Sequence, residues 1–185
     1  VLMFTGCDEF NLPLDNWNVA NVKEMSSIFS GCDNFNQPLN KWDVSKVENM
    51  NIMFASCTNF NQPLNNWNVS NVTSMSGVFE KAESFNQDIS NWDVSNVTDM
   101  QNMFYECKIF NQPLNKWNIS KVKNMKNLFR DCKNFNQNLN IWNVSDDVNM
   151  VSIFDGASSF RFDENAKWYN SCHGIAVDLN DIEDY

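Results

Sequence analysis

Cys172 and His173 are the one place in this chain where a thiol and an imidazole adjoin. Neighbouring side chains rarely face each other, and His173 is the only histidine. A Cys–His or Ser–His relay and a His-based metal cluster therefore lack their parts. The cysteines are the next candidates. Cys7, Cys32, Cys57, Cys107 and Cys132 share one register, which Ala82 and Ala157 fill elsewhere. A position that takes either Cys or Ala wants a small buried side chain. Stacked layers could also bring two such thiols within disulfide range. Free buried thiols are the favoured reading, and they point mildly to a reducing compartment. Asp43 and Asp93 fall two layers apart, roughly 10 Å, which is no obvious acid pair. The Asn/Asp register to which they belong also lacks the dense carboxylate loop of a calcium site. No catalytic residue, metal or cofactor is expected.

What positions these residues is a period. Trp17, Trp42, Trp67, Trp92, Trp117 and Trp142 stand 25 residues apart, and Trp168 arrives one residue late. Two Phe registers keep the same step, Phe4 to Phe154 and Phe10 to Phe160. A fixed period of this length marks a solenoid, in which each unit packs on its neighbours alone. Rings that recur in every unit are core stacks rather than a ligand box.

Within the repeat Leu39–Cys57, Leu39, Trp42, Val44 and Val47 have leucine-rich-repeat spacing, with Trp in a Leu position. On a short strand Trp42 and Val44 share one face and Asp43 takes the other. Val47, Met50, Met53, Phe54 and Cys57 then follow a three- and four-residue spacing that predicts a helix of about ten residues. Ser45 with Glu48 reads as its capping box, and Ser70, Ser95 and Ser120 stand in equivalent places. The Asn register (Asn11, Asn36, Asn61, Asn86, Asn111, Asn136) is expected to bond turn backbone in its own and adjacent layers. Pro38, Pro63 and Pro113 fix the turn into the next strand. The expected fold is an α/β solenoid, leucine-rich-repeat-like, with about seven 25-residue layers, each holding a short parallel strand and a short helix. Seven layers at about 4.8 Å give a rod of roughly 33 Å.

The divisions expected are a repeat array over 1–159 with a partial first repeat, a divergent capping repeat over 160–177, and an acidic tail over 178–185. The opening Val1–Phe4 is the middle of a repeat, so neighbouring repeats of a longer chain are expected. The net charge of −10 argues against nucleic acid as a partner. Seven of the 13 basic residues lie between Lys108 and Lys133, diluted by Glu106 and Asp131, and read as a solvated face. No run of apolar residues is long enough to insert this segment into a membrane.

With the repeat laid out, the segment Phe85-Asn-Gln-Asp-Ile-Ser-Asn-Trp-Asp-Val-Ser-Asn-Val-Thr-Asp-Met100 with Met103-Phe104 resembles the BspA-like leucine-rich-repeat surface proteins, in their Mycoplasma-type variant. The likeness recurs through nearly all of the array. It implies an extended array, often displayed on a cell or particle surface and linked to adhesion or host interaction. It brings no catalytic residues. Cys where relatives more often carry Ala favours instead a reducing, intracellular origin.

Two functions are then open. One is a non-enzymatic scaffold for protein or glycan recognition, using the outward register Asn18, Asp43, Asn68, Asp93, Asn118 and Asn143 with its flank Lys41, Asn66, Asn91 and Lys116. The other is a structural spacer in a surface layer, fibre or virion. A binder should vary its surface from layer to layer, whereas a spacer should be uniform. Five Asn-x-Ser/Thr triplets, at Asn68, Asn71, Asn96, Asn118 and Asn143, arise from the repeat itself and say little about secretion.

Overall fold

A computed structural model describes residues 2–172. The 25-residue units stack as layers, and the aromatic registers become continuous columns. Within a layer the two Phe rings lie nearly parallel, with Phe79 and Phe85 centred 3.9 Å apart. Between layers the rings repeat in offset stacks, as at Phe54–Phe79, 5.8 Å, and Phe79–Phe104, 5.9 Å. The second column does the same, with Phe60–Phe85 and Phe85–Phe110 at 6.1 and 6.0 Å. Each Trp from Trp42 onward packs beside the first column and donates its indole N–H to the carbonyl of a Leu or Ile in the layer before. Trp67 bonds Leu39, Trp92 bonds Leu64 and Trp117 bonds Ile89. Trp17 has no preceding Trp layer among the described residues and is 44% exposed.

The expected inside and outside hold. Trp42 and Val44 are buried while Asp43 is exposed, and Val47, Met50, Met53, Phe54 and Cys57 are all buried. The expected elements do not form. No strand runs through Trp42–Val44, and the layers touch as single parallel bridges further along, Glu24–Asn49–Ser74–Asp99–Asn124–Asn149. Nor does Val47–Cys57 form a helix; residues 51–56 are consecutive turns.

The backbone amides give the reason. Those of Met50, Ile52, Phe54 and Ser56 donate to Ser74, Ser76, Val78 and Glu80 of the next layer. The alternating amides of Met53 and Cys57 close turns onto the carbonyls of Met50 and Phe54. Stacking thus satisfies the donors that an α-helix would direct four residues back. The capping box also dissolves: Ser45 N–H donates to Asp43, and Glu48 pairs with Lys23 of the previous layer.

Two left-handed positions per layer carry these turns. One is the register Ser27, Ile52, Gly77, Asn102, Asn127, Ser152, and the other includes Gly31, Ser56, Lys81, Glu106, Asp131 and Gly156. A β-branched residue is poorly suited there, yet Ile52 sits at φ 48°. Asn tolerates that backbone and already serves at Asn102 and Asn127. Ile52 is 38% exposed, so part of its side chain already meets solvent. Ile52→Asn is expected to raise stability by about 0.5–1 kcal/mol in a urea melt. An unchanged or lowered midpoint would show that the turn carries no such strain.

The only α-helices among the described residues follow the repeats, α1 (Phe162–Asn165) and α2 (Lys167–Cys172). Phe162 and Tyr169 stand edge-on to Phe154 at 5.5 and 5.6 Å, ending the parallel ring column. Asn136 Oδ1 accepts the Arg161 N–H and the Asn165 side-chain amide, in place of the backbone N–H and Gln amide that the next layer supplies elsewhere in the stack. The pairing of Cys172 with His173, the end of the capping segment over 173–177 and the acidic tail over 178–185 lie outside the described residues.

Candidate functional site

The Asn register becomes a ladder through the stack. Asn61 Oδ1 accepts both the Asn86 N–H and the Gln87 side-chain amide, at 3.0 and 2.9 Å. Asn36, Asn86 and Asn111 do the same for the layers that follow them. These amides satisfy neighbouring turns, as their spacing predicts, and so act within the fold.

The outward register has a structural use too. Asn18, Asp43, Asn68, Asp93 and Asn118 each accept, on the side-chain oxygen, the N–H two residues on, closing an Asx turn. Hydrogen bonds from Ser45 and Ser95 hold the Asp43 and Asp93 carboxyls below the ordinary carboxylate range. In the Asn143 layer the repeat is one residue late, and Ser145 Oγ donates to Asp147 instead. All ten of the residues expected to bind are exposed: Asn18, Lys41, Asp43, Asn66, Asn68, Asn91, Asp93, Lys116, Asn118 and Asn143. Some of their side-chain groups are already engaged. Lys41 pairs with Asp15 at 3.1 Å, and Asn91 donates to the Asn65 carbonyl at 2.7 Å.

Part of the basic stretch is compensated, with Lys108 on Glu83 and Lys123 on Asp147 at 2.7 and 2.8 Å. Arg130 lies beside Asp131 and, with Lys81, near the Tyr105 ring.

One concave feature was missed in the linear reading. Lys23, Lys46, Glu48, Asn71, Thr73, Asn96 and Lys121 line an open groove of about 690 Å³. They belong to two registers, 21/46/71/96/121 and 23/48/73, one on each side of the buried Val register. Reading the sequence in columns rather than along the chain exposes them. Asn71 and Asn96, which head two of the Asn-x-Thr triplets, donate their amides to the carbonyls of Ser45 and Ser70.

The cysteine register is buried from Cys32 onward, and Cys7, Cys32, Cys57, Cys107 and Cys132 are free thiols. Four of them donate to a Phe carbonyl in the preceding layer: Cys32 to Phe4, Cys57 to Phe29, Cys107 to Phe79 and Cys132 to Phe104. Burial pushes the Cys32 thiol up to about 11, and those of Cys57, Cys107 and Cys132 well up as well. These are poor nucleophiles, because the reactive species is the thiolate.

The folded state keeps these protons at a pH where an unfolded thiol has lost them. Stability is therefore full below the unfolded value near 9 and falls as pH rises toward the folded values. A urea midpoint that is flat from about pH 6 to 8 and declines above about 9 is expected. The triple variant Cys57→Ala/Cys107→Ala/Cys132→Ala should flatten that decline, since Ala82 and Ala157 already fit the register. An identical decline in the variant would remove the thiols as its cause.

Among the described residues no group of three or more His, Cys, Asp or Glu could hold a metal ion, and no helix is long and apolar enough to cross a membrane. The fold and its surface thus define a repeat protein: a buried aromatic stack faced with polar columns. The chain belongs to the family described as "Mycoplasma protein of unknown function, DUF285", which matches residues 2–83 and 62–168. It is also similar to the crystal structure of the T. pallidum Leucine Rich Repeat protein. That similarity is distant, with 16% identity and a TM-score of 0.42 over 82% of this chain and 76% of the other. None of the curated proteins matches it.

Proposed function

We propose that this chain is a non-enzymatic repeat scaffold for protein or glycan recognition, of the adhesion and host-interaction type found among BspA-like leucine-rich-repeat surface proteins. One observation carries the reading. The stack turns its rings inward and sets exposed polar side chains in register, one per layer, along a face several layers long. Repetition lets weak contacts in successive layers act together, which is how an array gains affinity without a deep pocket. The divergent repeat that begins at residue 160 serves this scaffold as its C-terminal cap.

The test is a protein and glycan array probed with the wild type and with Lys41→Gln, Lys116→Gln, Asp43→Asn and Asp93→Asn. The Asp→Asn changes keep the Asx-turn acceptor and remove only the charge. Loss of a specific hit on at least one of these variants is expected. Hits indifferent to all four would overturn this face as the recognition surface.

A second reading, a structural spacer of a surface layer, fibre or virion, draws on a different observation. The outward Asn/Asp oxygens repeat the same turn-closing bond in five layers, which is the uniform surface a spacer needs. An array with no hits, together with regular self-assembly seen by electron microscopy, would select the spacer.

A further inference from the structure

We infer that the groove between Lys46 and Lys121 is a binding site for a sparsely charged acidic saccharide, one that carries uronate carboxylates among neutral sugars. The inference deepens the recognition reading by naming a site and a ligand class. Lys46 Nζ rests on Asn21 Oδ1 and Lys121 Nζ on Asn96 Oδ1, both at 2.7 Å. Each ammonium is thus fixed by a neutral amide of the layer before it. Lys41, Lys108 and Lys123 differ, because each has its charge matched by a carboxylate. Asp43 is the carboxylate whose ionisation senses Lys46, but it makes no ion pair with it and is occupied with Ser45. Two oriented and unmatched positive charges therefore stand in one groove, three layers or roughly 14 Å apart.

Between them Asn71, Thr73 and Asn96 offer uncharged hydrogen-bonding groups, and the one carboxylate of the lining, Glu48, is paired with Lys23. Asn71 gives its amide N–H to Ser45 O, and no described group donates to its Oδ1. Thr73 donates to the Glu48 carbonyl, leaving its hydroxyl oxygen to accept. Glu48, held on one side by Lys23, is a further acceptor. Sugar hydroxyls are the donors that such a floor takes, and carboxylates are what the two lysines take. No aromatic or aliphatic residue lines the groove. A protein partner would lack the apolar anchor that supplies most interface energy. The net charge of −10 opposes a densely anionic polymer more than a saccharide with few carboxylates.

Binding is measured by calorimetry with an octasaccharide alternating one uronic acid and one neutral amino sugar. A neutral octaglucan, an eight-residue polyglutamate and the variants Lys46→Gln/Lys121→Gln and Lys108→Gln accompany it. Expected are saturable binding of the uronate octasaccharide that weakens with added salt and loss on the order of tenfold in the double variant. Lys108→Gln should bind as the wild type, and the octaglucan should bind weakly or not at all. Both substituted lysines are exposed, and unchanged near-ultraviolet circular dichroism from the Trp stack verifies the fold. No uronate binding by the wild type, binding equal in the double variant, or polyglutamate bound as well as the saccharide would each overturn the inference. Array hits lost on Lys116→Gln or Asp93→Asn would meanwhile leave the broader recognition reading standing, because neither residue lines this groove.

Discussion

Phe79→Ala is expected to lower stability by about 3–5 kcal/mol. The Phe79 ring is fully buried and meets rings from three layers: Phe54 before it, Phe85 and Trp92 with it, and Phe104 after it, all centred within 6.1 Å. The void it leaves has little room to collapse. The Phe79 N–H bonds Met103 O, and the Phe54 N–H bonds Val78 O, so the layers on either side are tied to the gap at fixed spacing. Contacts in such a stack run only between neighbours, and a weakened middle layer also separates two halves. The urea transition, followed by Trp fluorescence, should therefore broaden as its midpoint drops. Phe10→Ala supplies the comparison, since Phe10 is only partly buried at the first layer. Its expected loss is less than half as large. Equal losses at both sites would mean that ring stacking between layers is not what holds the array.

Asn86→Ala is expected to cost about 1–3 kcal/mol, for a different reason. Asn86 Oδ1 is the shared acceptor for the Asn111 N–H and the Gln112 side-chain amide, at 2.9 and 3.1 Å. Alanine leaves a partly buried backbone N–H with no protein partner, and the cost is that of desolvating it. Asn86→Asp keeps the acceptor and should lose clearly less than Asn86→Ala in the same melt at pH 7. If Asp were as damaging as Ala, the register would owe its value to the side-chain amide group and not to its oxygen. This pair of variants isolates the hydrogen bond, whereas Phe79→Ala isolates packing.

The difference between these two sites is also the difference between what could and could not be read in advance. The 25-residue step of Trp and Phe located the core, because burial of large rings leaves a strict periodic mark. The Asn register was legible for a similar reason: an amide repeated beside buried rings must be satisfying the turns around it. The helix expected over Val47–Cys57 was not found. Its apolar spacing is real, and all five of its marker residues are buried, but spacing records only which side chains face inward. It does not record where the amides go. In the stack, Ile52, Phe54 and Ser56 find carbonyls in the next layer, which a single repeat read by itself cannot offer.

The groove escaped notice for the same cause. Lys46 and Lys121 are 75 residues apart in the sequence, and they share a site only because stacking converts sequence period into adjacency. The sequence by itself therefore determined the period, the inward face and the supply of polar groups. The tertiary structure decided which backbone donors bond between layers, which outward oxygens close turns, and which two lysines share one groove without a carboxylate partner. Those choices depend on contacts between repeats, and such contacts exist only once the layers are stacked.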